Sequence, residues 1–126
     1  MTGETILIVE DEGLIAFHMI SLLKSTGYRV LGAVDTGEMG LKMLENSPGP
    51  DLILMDIKLA GLIDGIETAR QIRQRFSIPL IFVTAHTSEQ MLERMQEVAH
   101  DGVIIKPFVP ENLLALIGKV LARPTI

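Results

Sequence analysis

Asp51-Leu-Ile-Leu-Met-Asp56 is an uninterrupted apolar run with an acidic residue at each end. A short run of this kind is typical of a central β-strand that is covered on both faces of a parallel sheet. Asp56 would then lie at the carboxyl end of that strand. In open α/β sheets this edge is where ligands bind, so Asp56 is the first candidate for a functional residue.

Strand-like and helix-like segments alternate along the rest of the chain. Strands are predicted at 5–9, 29–34, 51–56, 79–83 and 102–105, and helices at 13–25, 36–46, 65–75, 88–99 and 110–122. Strict alternation indicates parallel strands with right-handed crossovers and helices on both faces of the sheet. We therefore predict one α/β domain over residues 1–126, with a core from about residue 4 to residue 122.

Composition argues against several functional classes. The net charge is −5 and no basic cluster is present, so direct nucleic-acid binding is not expected, and the arginines at 70, 73 and 75 are interpreted as a solvated helix face. The chain has no cysteine, which removes disulfides and thiolate catalysis and is compatible with the cytoplasm, the expected location. No signal peptide is recognisable, and no apolar run approaches the roughly 20 residues that cross a membrane.

Polar residues follow four of the five predicted strands. Glu10 and Asp11 follow the first strand, Asp56 ends the third, Thr84 follows the fourth and Lys106 follows the fifth. In a parallel sheet these side chains gather at one edge. Carboxylates at such a site suit Mg²⁺, which would relieve their mutual repulsion, and Asp56 could then act as a nucleophile toward phosphorus. Lys106 and the Thr84 hydroxyl are suited to phosphoryl oxygens.

Taken together, these signals resemble the receiver domain of two-component response regulators over nearly the whole chain. The resemblance implies a flavodoxin-like (βα)5 fold: a five-stranded, doubly wound parallel sheet with strand order 2-1-3-4-5. It also implies a signalling domain that catalyses its own phosphorylation and dephosphorylation and is not a conventional enzyme. The matching residues are Ile8-Val9-Glu10-Asp11-Glu12, Asp56, Asp64-Gly65, Thr84-Ala85 and Lys106-Pro107-Phe108.

The resemblance assigns a role to each residue at the strand ends. Asp56 would be the phosphoacceptor, and Glu10, Asp11 and Asp56 would be the Mg²⁺ carboxylates, with the backbone carbonyl of Lys58 completing the metal shell. Thr84 and Lys106 would contact the phosphoryl group. The implied phosphodonor is a histidine kinase or a histidine phosphotransfer protein.

Four positions depart from the usual pattern or are expected to tune the site. The loop after Asp56 has Ala60 where many receivers have proline, and one extra residue, so we expect a more mobile loop. Val103 occupies a position that is commonly aromatic, and a β-branched side chain has little room to report a movement of Thr84. Lys58 and His86 border the expected phosphoryl position and are predicted to tune its hydrolysis, although an exposed loop histidine is an equally good interpretation of His86.

Two surfaces are predicted to contact partners. Leu14 and Phe17 of the first helix are expected to dock the phosphodonor; the alternative is that they pack under a neighbouring loop. The surface of the fourth helix, fifth strand and fifth helix would carry the output and could form a homodimer. On the fourth helix, Thr87 or Ser88 is predicted as the N-cap, and Thr87 with Gln90 could form a capping box. The charged residues of this helix, Glu89, Glu93, Arg94 and Glu97, are expected to face water.

Other functions are compatible with parts of this pattern. A degenerate receiver, which binds proteins without accepting phosphate, would share the fold. An aspartyl-phosphate phosphohydrolase also uses Asp, Thr and Lys, but it needs a second acid where this chain has Lys58. In a flavin-binding carrier the phosphate loop would replace Glu10-Asp11-Glu12, whose charges repel a phosphate. The phosphorylatable receiver is the preferred hypothesis.

Overall fold

The computed structural model of the protein describes residues 3–46 and 48–122. Five strands alternate with five helices along these residues, as the sequence predicts. The strands are β1 (Thr5–Val9), β2 (Arg29–Val34), β3 (Leu52–Met55), β4 (Leu80–Thr84) and β5 (Gly102–Ile105), and the helices are α1 (Gly13–Ser25), α2 (Gly37–Leu44), α3 (Gly65–Arg75), α4 (Glu89–Gln96) and α5 (Pro110–Leu121).

The strands form one parallel sheet in the order β2-β1-β3-β4-β5, which confirms the predicted topology. β3 lies at the centre, and all four of its residues are buried. Two helices end earlier than predicted, α2 at Leu44 and α4 at Gln96. The α-helical hydrogen bonds stop at the end of α4, where the Val98 amide donates to the Met95 carbonyl only three residues before it.

Each face of the sheet has its own apolar core. One face packs against α1 and α5 through residues such as Met19, Leu23 and Ile117. The opposite face packs against α2, α3 and α4 and contains Phe82 and Met95. Alternate side chains of the buried strands point to opposite faces, so a single apolar run such as Leu52–Met55 supplies both cores. Within the described part of the chain, no helix is long and apolar enough to cross a bilayer.

The N-cap of α4 is one of the two that the sequence predicts. Ser88 is the N-cap there, and its hydroxyl accepts from the Met91 amide at 3.2 Å, so the predicted capping box between Thr87 and Gln90 is wrong. Thr36 caps α2 in the same way, and Asp64 caps α3 by accepting from the Glu67 amide at 2.9 Å. Each cap satisfies an otherwise unpaired amide at the helix start.

The sheet ladder continues to the polar residues just beyond the strands. The Glu10 amide donates to the Val34 carbonyl at 2.8 Å, the Asp56 amide to the Val9 carbonyl at 2.9 Å, and the Lys106 amide to the Thr84 carbonyl at 2.9 Å. The backbone of each polar residue is therefore held by a neighbouring strand. Their side chains start from positions that the sheet determines.

The segment between β3 and α3 is held against its neighbours. The Leu62 amide donates to the Glu38 carboxylate at 2.9 Å, and Gly61 takes a φ of +93°, a conformation that favours glycine. The Gly65 amide donates to the Ile57 carbonyl at 2.7 Å. Contacts with α2 and with the end of β3 thus attach this segment, and the expectation that the loop is more mobile stays a prediction.

Gly65 allows the start of α3 to pack directly on the phosphoacceptor candidate. A Cβ atom at Gly65 would lie 1.8 Å from the Asp56 carbonyl oxygen, whereas a Cβ at Gly118 in α5 would meet nothing within 4 Å. We predict that Gly65→Ala lowers the free energy of unfolding by about 3 kcal/mol or more, because backbone must move. Urea denaturation measures this change.

Gly118→Ala is the matched control for the same denaturation experiment. It places alanine in a helix with free space around it, so we expect the free energy of unfolding to rise by about 0.5–1 kcal/mol. Equal effects of the two substitutions would contradict the tight contact between α3 and Asp56.

Candidate functional site

A polar crevice opens at the carboxyl edge of the sheet, where the sequence analysis places the functional residues. Its volume is about 330 Å³. The loops after β1, β3 and β4 and the end of β5 all contribute to it. The residues that line it are Asp11, Glu12, Asp56, Lys58, Ala85, His86 and Lys106.

Lys106 joins two buried carboxylates at the floor of this crevice. Its Nζ donates to Glu10 Oε1 at 2.7 Å and to Asp56 Oδ2 at 2.9 Å. Glu10 and Asp56 are only 3% and 5% exposed, so neither could keep a charge at this depth without a partner. The other Asp56 oxygen, Oδ1, accepts from the Ile57 amide at 2.7 Å, so both carboxylate oxygens are oriented.

The electrostatics of the crevice follow from this burial. Burial raises the pKa of Glu10 to about 7, although the hydrogen bond from Lys106 opposes the rise. Burial would lower the pKa of Lys106, but its hydrogen bonds to Glu10 and Asp56 outweigh burial and hold that pKa above its ordinary value. Lys106 therefore remains a cation, and its charge partly compensates the acidic cluster.

Glu10, Asp11 and Asp56 form a set of oxygen donors that fits a divalent cation. One carboxylate oxygen from each residue lies within 4.8 Å of the other two. Hard oxygen ligands from two or three carboxylates, with one side open to water, match the preference of Mg²⁺. Asp11 is exposed, so the set faces the solvent on that side. The chemistry of these donors thus fits the ion that the sequence analysis predicts.

Thr84, His86 and Lys58 surround the expected phosphoryl position in different ways. Thr84 is fully buried at the end of β4, and its hydroxyl oxygen accepts from the His86 amide at 3.0 Å. The side chains of His86 and Lys58 contribute to the crevice lining, whereas Thr84 does not. The threonine would have to move toward the crevice to contact a phosphoryl group there.

Val103 lies in β5, three residues before Lys106. It pairs with Phe82 in the sheet and is partly buried against the core that contains Met91 and Met95. No aromatic ring occupies this position, in agreement with the sequence. The tuning and switch roles of Val103, Lys58 and His86 remain predictions.

The surface of α1 beside the crevice is apolar and open. Leu14 is 76% exposed and Phe17 is 63% exposed, so the alternative in which they pack under a loop is wrong. A groove of about 420 Å³ runs between α1 and the start of α5. Ile15, Leu22 and Phe108 line it, and it reaches the crevice at Lys106.

One ion pair near the crevice was missed by the sequence analysis. Arg94, which was expected to face water, donates from Nη1 to Asp64 Oδ2 at 2.7 Å and from Nη2 to Asp64 Oδ1 at 3.2 Å. Arg73 also departs from the expected solvated face, because its Nε donates to the Ala99 carbonyl at 2.8 Å. Neither contact has a sequence signal, since each joins elements that are more than 20 residues apart.

Comparison with known proteins agrees with the geometry. A family model of the response regulator receiver domain matches residues 6–118. This chain belongs to the response regulator receiver domain family. Receiver domains are signalling domains rather than conventional enzymes, and those of response regulators interact with histidine kinases or phosphotransfer partners.

Relatives of this receiver domain include regulators of several kinds. It is 36% identical over 116 residues to the Phyllosphere-induced regulator PhyR of Methylorubrum extorquens, covering 92% of this chain and 43% of PhyR. It is 38% identical to the Phosphate regulon transcriptional regulatory protein PhoB of Pseudomonas aeruginosa, covering 98% of this chain and 54% of PhoB. The chain thus spans about half the length of the curated relatives it matches.

A solved structure supplies the comparison for the metal. The receiver domain of the sensor histidine kinase PA1611 from Pseudomonas aeruginosa has a magnesium ion coordinated in its active site cleft. It superposes with a TM-score of 0.87 at 29% identity, covering 97% of this chain and 100% of that one. The receiver domain of a modulated diguanylate cyclase from Desulfovibrio desulfuricans also gives a TM-score of 0.87, at 34% identity, with 94% of each chain covered.

The contacts of Lys106 generate a prediction about stability. Lys106→Met leaves Glu10 and Asp56 buried in the crevice without their shared cation. We expect the free energy of unfolding in metal-free buffer to fall by about 2–3 kcal/mol, since an uncompensated buried charge is costly. Thermal or urea denaturation in the presence of a chelator measures the loss.

The double variant Lys106→Met with Glu10→Gln separates charge from packing. Without Lys106 the pKa of the buried Glu10 rises further and its carboxyl is neutral, so glutamine replaces an uncharged group and the second substitution should cost little additional stability. If the double variant is as unstable as the sum of both single variants, the account of Lys106 as the partner of both carboxylates is contradicted.

Proposed function

We propose that the protein is a phosphorylatable receiver and that Asp56 accepts the phosphoryl group. The observation that supports this most strongly is the placement of Asp56: a buried carboxylate at the end of the central strand, hydrogen-bonded to Lys106 and close to two further carboxylates. A structural role alone does not need three acidic residues in one crevice. We further propose that residues 1–126 constitute a single receiver domain.

The proposed reaction transfers a phosphoryl group from a histidine nitrogen of the donor to a carboxylate oxygen of Asp56. An Asp56 carboxylate oxygen forms the new P–O bond while the P–N bond of a phosphohistidine breaks. The electron pair of that bond leaves with the imidazole nitrogen, which takes up a proton. Hydrolysis of the aspartyl phosphate by water later returns Asp56 to a free carboxylate.

Glu10, Asp11 and Asp56, with the Lys58 carbonyl, would hold Mg²⁺ in this reaction. The ion supplies positive charge next to the transferred phosphoryl oxygens. Lys106 supplies a second cation. Its Nζ already lies 2.9 Å from Asp56 Oδ2, so a phosphoryl group on Asp56 would form next to it. The Thr84 hydroxyl would donate to a phosphoryl oxygen after leaving its contact with the His86 amide.

The alternatives have weaker support. A degenerate receiver would retain the fold without the chemistry, yet Asp56, Lys106 and Thr84 are all present at their strand ends. A phosphohydrolase of the aspartyl-phosphate type would need an acid at the position of Lys58, which is an exposed cation beside the crevice. Both alternatives therefore rank below the phosphoacceptor.

Intact mass spectrometry tests the proposed function. The native protein and Asp56→Asn are incubated with acetyl phosphate, with and without Mg²⁺. We expect the native protein to gain one phosphoryl group only with Mg²⁺, and the adduct to be stable in acid and labile in alkali, as an acyl phosphate is. Asp56→Asn should gain nothing.

A phosphate-release assay accompanies the mass measurement, because rapid hydrolysis could empty Asp56 before detection. If neither an adduct nor Mg²⁺-dependent phosphate release is found, the phosphoacceptor proposal is wrong and the degenerate receiver becomes the better account.

For the donor we propose a histidine kinase or a histidine phosphotransfer protein that docks on Leu14 and Phe17. The exposure of both side chains and the adjoining groove support this surface. For the output we propose the face of α4, β5 and α5, where Leu92 and Ile105 are exposed and a homodimer could form. The cytoplasm remains the proposed location.

Phe17→Ala tests the docking surface. We expect phosphotransfer from a phosphorylated histidine phosphotransfer protein to slow by about tenfold, the effect of losing one well-packed aromatic contact. Phosphorylation by acetyl phosphate should not change. Met39→Ala, which truncates an exposed apolar side chain of α2, is the matched control. Equal transfer rates for Phe17→Ala and the native protein would place the docking surface elsewhere.

A further inference from the structure

The ion pair between Arg94 and Asp64 connects two parts of the fold that are adjacent to the crevice. Arg94 lies in the second turn of α4, and Asp64 is the N-cap of α3, 30 residues earlier in the chain. Both carboxylate oxygens of Asp64 accept from the guanidinium, at 2.7 and 3.2 Å. Such a bidentate contact defines the relative position of its two groups more closely than a single hydrogen bond does.

The pKa shifts of both side chains agree with an ion pair between them. Burial alone would raise the pKa of Asp64, but the hydrogen bond and charge of Arg94, together with hydrogen bonds from the Glu67 and Ile66 amides, hold that pKa below its ordinary value. The hydrogen bond to Asp64 likewise raises the pKa of Arg94. Both groups remain charged at neutral pH.

Asp64 is held in place from the side of the phosphoacceptor. The next residue, Gly65, donates its amide to the Ile57 carbonyl and approaches the Asp56 carbonyl so closely that no Cβ fits between them. Asp64 also caps α3 through the Glu67 amide. Asp64 is thus attached through Gly65 to the backbone around Asp56, and its ion pair with Arg94 connects α4 to that segment.

Besides this ion pair, α4 packs on the core through Met95 and, less deeply, through Met91. It has only eight residues, and Met95 is the only one of them that is buried. The helix begins at its cap Ser88, only four residues after Thr84, and the intervening His86 amide donates to the Thr84 hydroxyl. A movement of Thr84 toward the crevice would break that hydrogen bond and shift the start of α4.

We propose that the Arg94–Asp64 ion pair holds α4 in its resting position, and that phosphorylation of Asp56 weakens it. The inference rests on the proposed function and adds the restraint through which that site would regulate α4. When Thr84 leaves the His86 amide, α4 moves while Asp64 stays with the Asp56 backbone. The bidentate contact tolerates little displacement. The ion pair thus supplies a switch that needs no aromatic ring at Val103.

Thermodynamic linkage between the ion pair and the binding of a phosphoryl mimic predicts a change in affinity. A contact that exists in the resting state and is weakened in the phosphorylated state lowers the affinity for a phosphoryl mimic. Removal of the contact should therefore raise that affinity. The side chains of Arg94 and Asp64 are 43% and 29% exposed, and a pair of this exposure leads us to expect an increase of about two- to fivefold.

Arg94→Met tests the inference, because methionine keeps the helical propensity and loses the charge. The affinity for beryllofluoride is measured in Mg²⁺, and amide hydrogen exchange of α4 is followed in the free protein. Arg70→Met is the matched control, since the Arg70–Glu67 pair lies within α3 and joins no second element. Asp64→Asn removes the charge but retains a side chain that can cap α3.

Arg94→Met should bind beryllofluoride two- to fivefold more tightly and should speed exchange in α4, while Arg70→Met changes neither. Adding Arg94→Met to Asp64→Asn should have little further effect, as expected for two partners of one contact. Unchanged affinity and unchanged exchange in Arg94→Met would overturn the inference. If native protein fails to bind beryllofluoride, the proposed function fails. If, in addition, hydrogen exchange in α4 is the same in Arg94→Met and in the native protein, the ion pair does not restrain α4 either.

Discussion

The hydrogen bonds from Lys106 to Glu10 and Asp56 are the contact on which the rest of the site depends. Parallel strands bring these residues to one edge of the sheet, and the strand ladder fixes their backbones. Burial then makes the two carboxylates unfavourable neighbours unless a cation joins them. Lys106 meets that need in the structure, and the third carboxylate, Asp11, remains open to solvent. The crevice therefore has carboxylates that could bind a further cation and an ammonium group that could bind an anion.

The sequence predicts the sheet and the strand ends well, because both depend on short-range patterns. The apolar run Leu52–Met55 specifies a strand covered on both faces, and the polar residues at the ends of four strands specify the functional edge. The short-range rules fail where tertiary contacts decide. Arg94 has the pattern of a solvated residue, yet it pairs with Asp64 across 30 residues, and Arg73 likewise donates to the Ala99 carbonyl.

The departures from the usual receiver pattern acquire a common explanation at the segment between β3 and α3. The segment that has Ala60 in place of a proline makes hydrogen bonds to Glu38 and to the Ile57 carbonyl. The segment is therefore well held on one side, and Arg94 of α4 binds it on the other. In the proposed switch, the segment next to Asp56 is the fixed part and α4, a short helix with one buried residue, is the movable part. Val103 then packs as ordinary core.

The most direct test of this account is a crystal structure with Mg²⁺ and beryllofluoride. The account predicts beryllium bonded to an Asp56 carboxylate oxygen, with fluorides in contact with Lys106 Nζ and the Thr84 hydroxyl, and Mg²⁺ held by Glu10, Asp11 and Asp56. Clear density for Mg²⁺ and beryllofluoride at another site, or Asp56 retaining its present contacts with Lys106 and Ile57 and carrying no adduct, would contradict it.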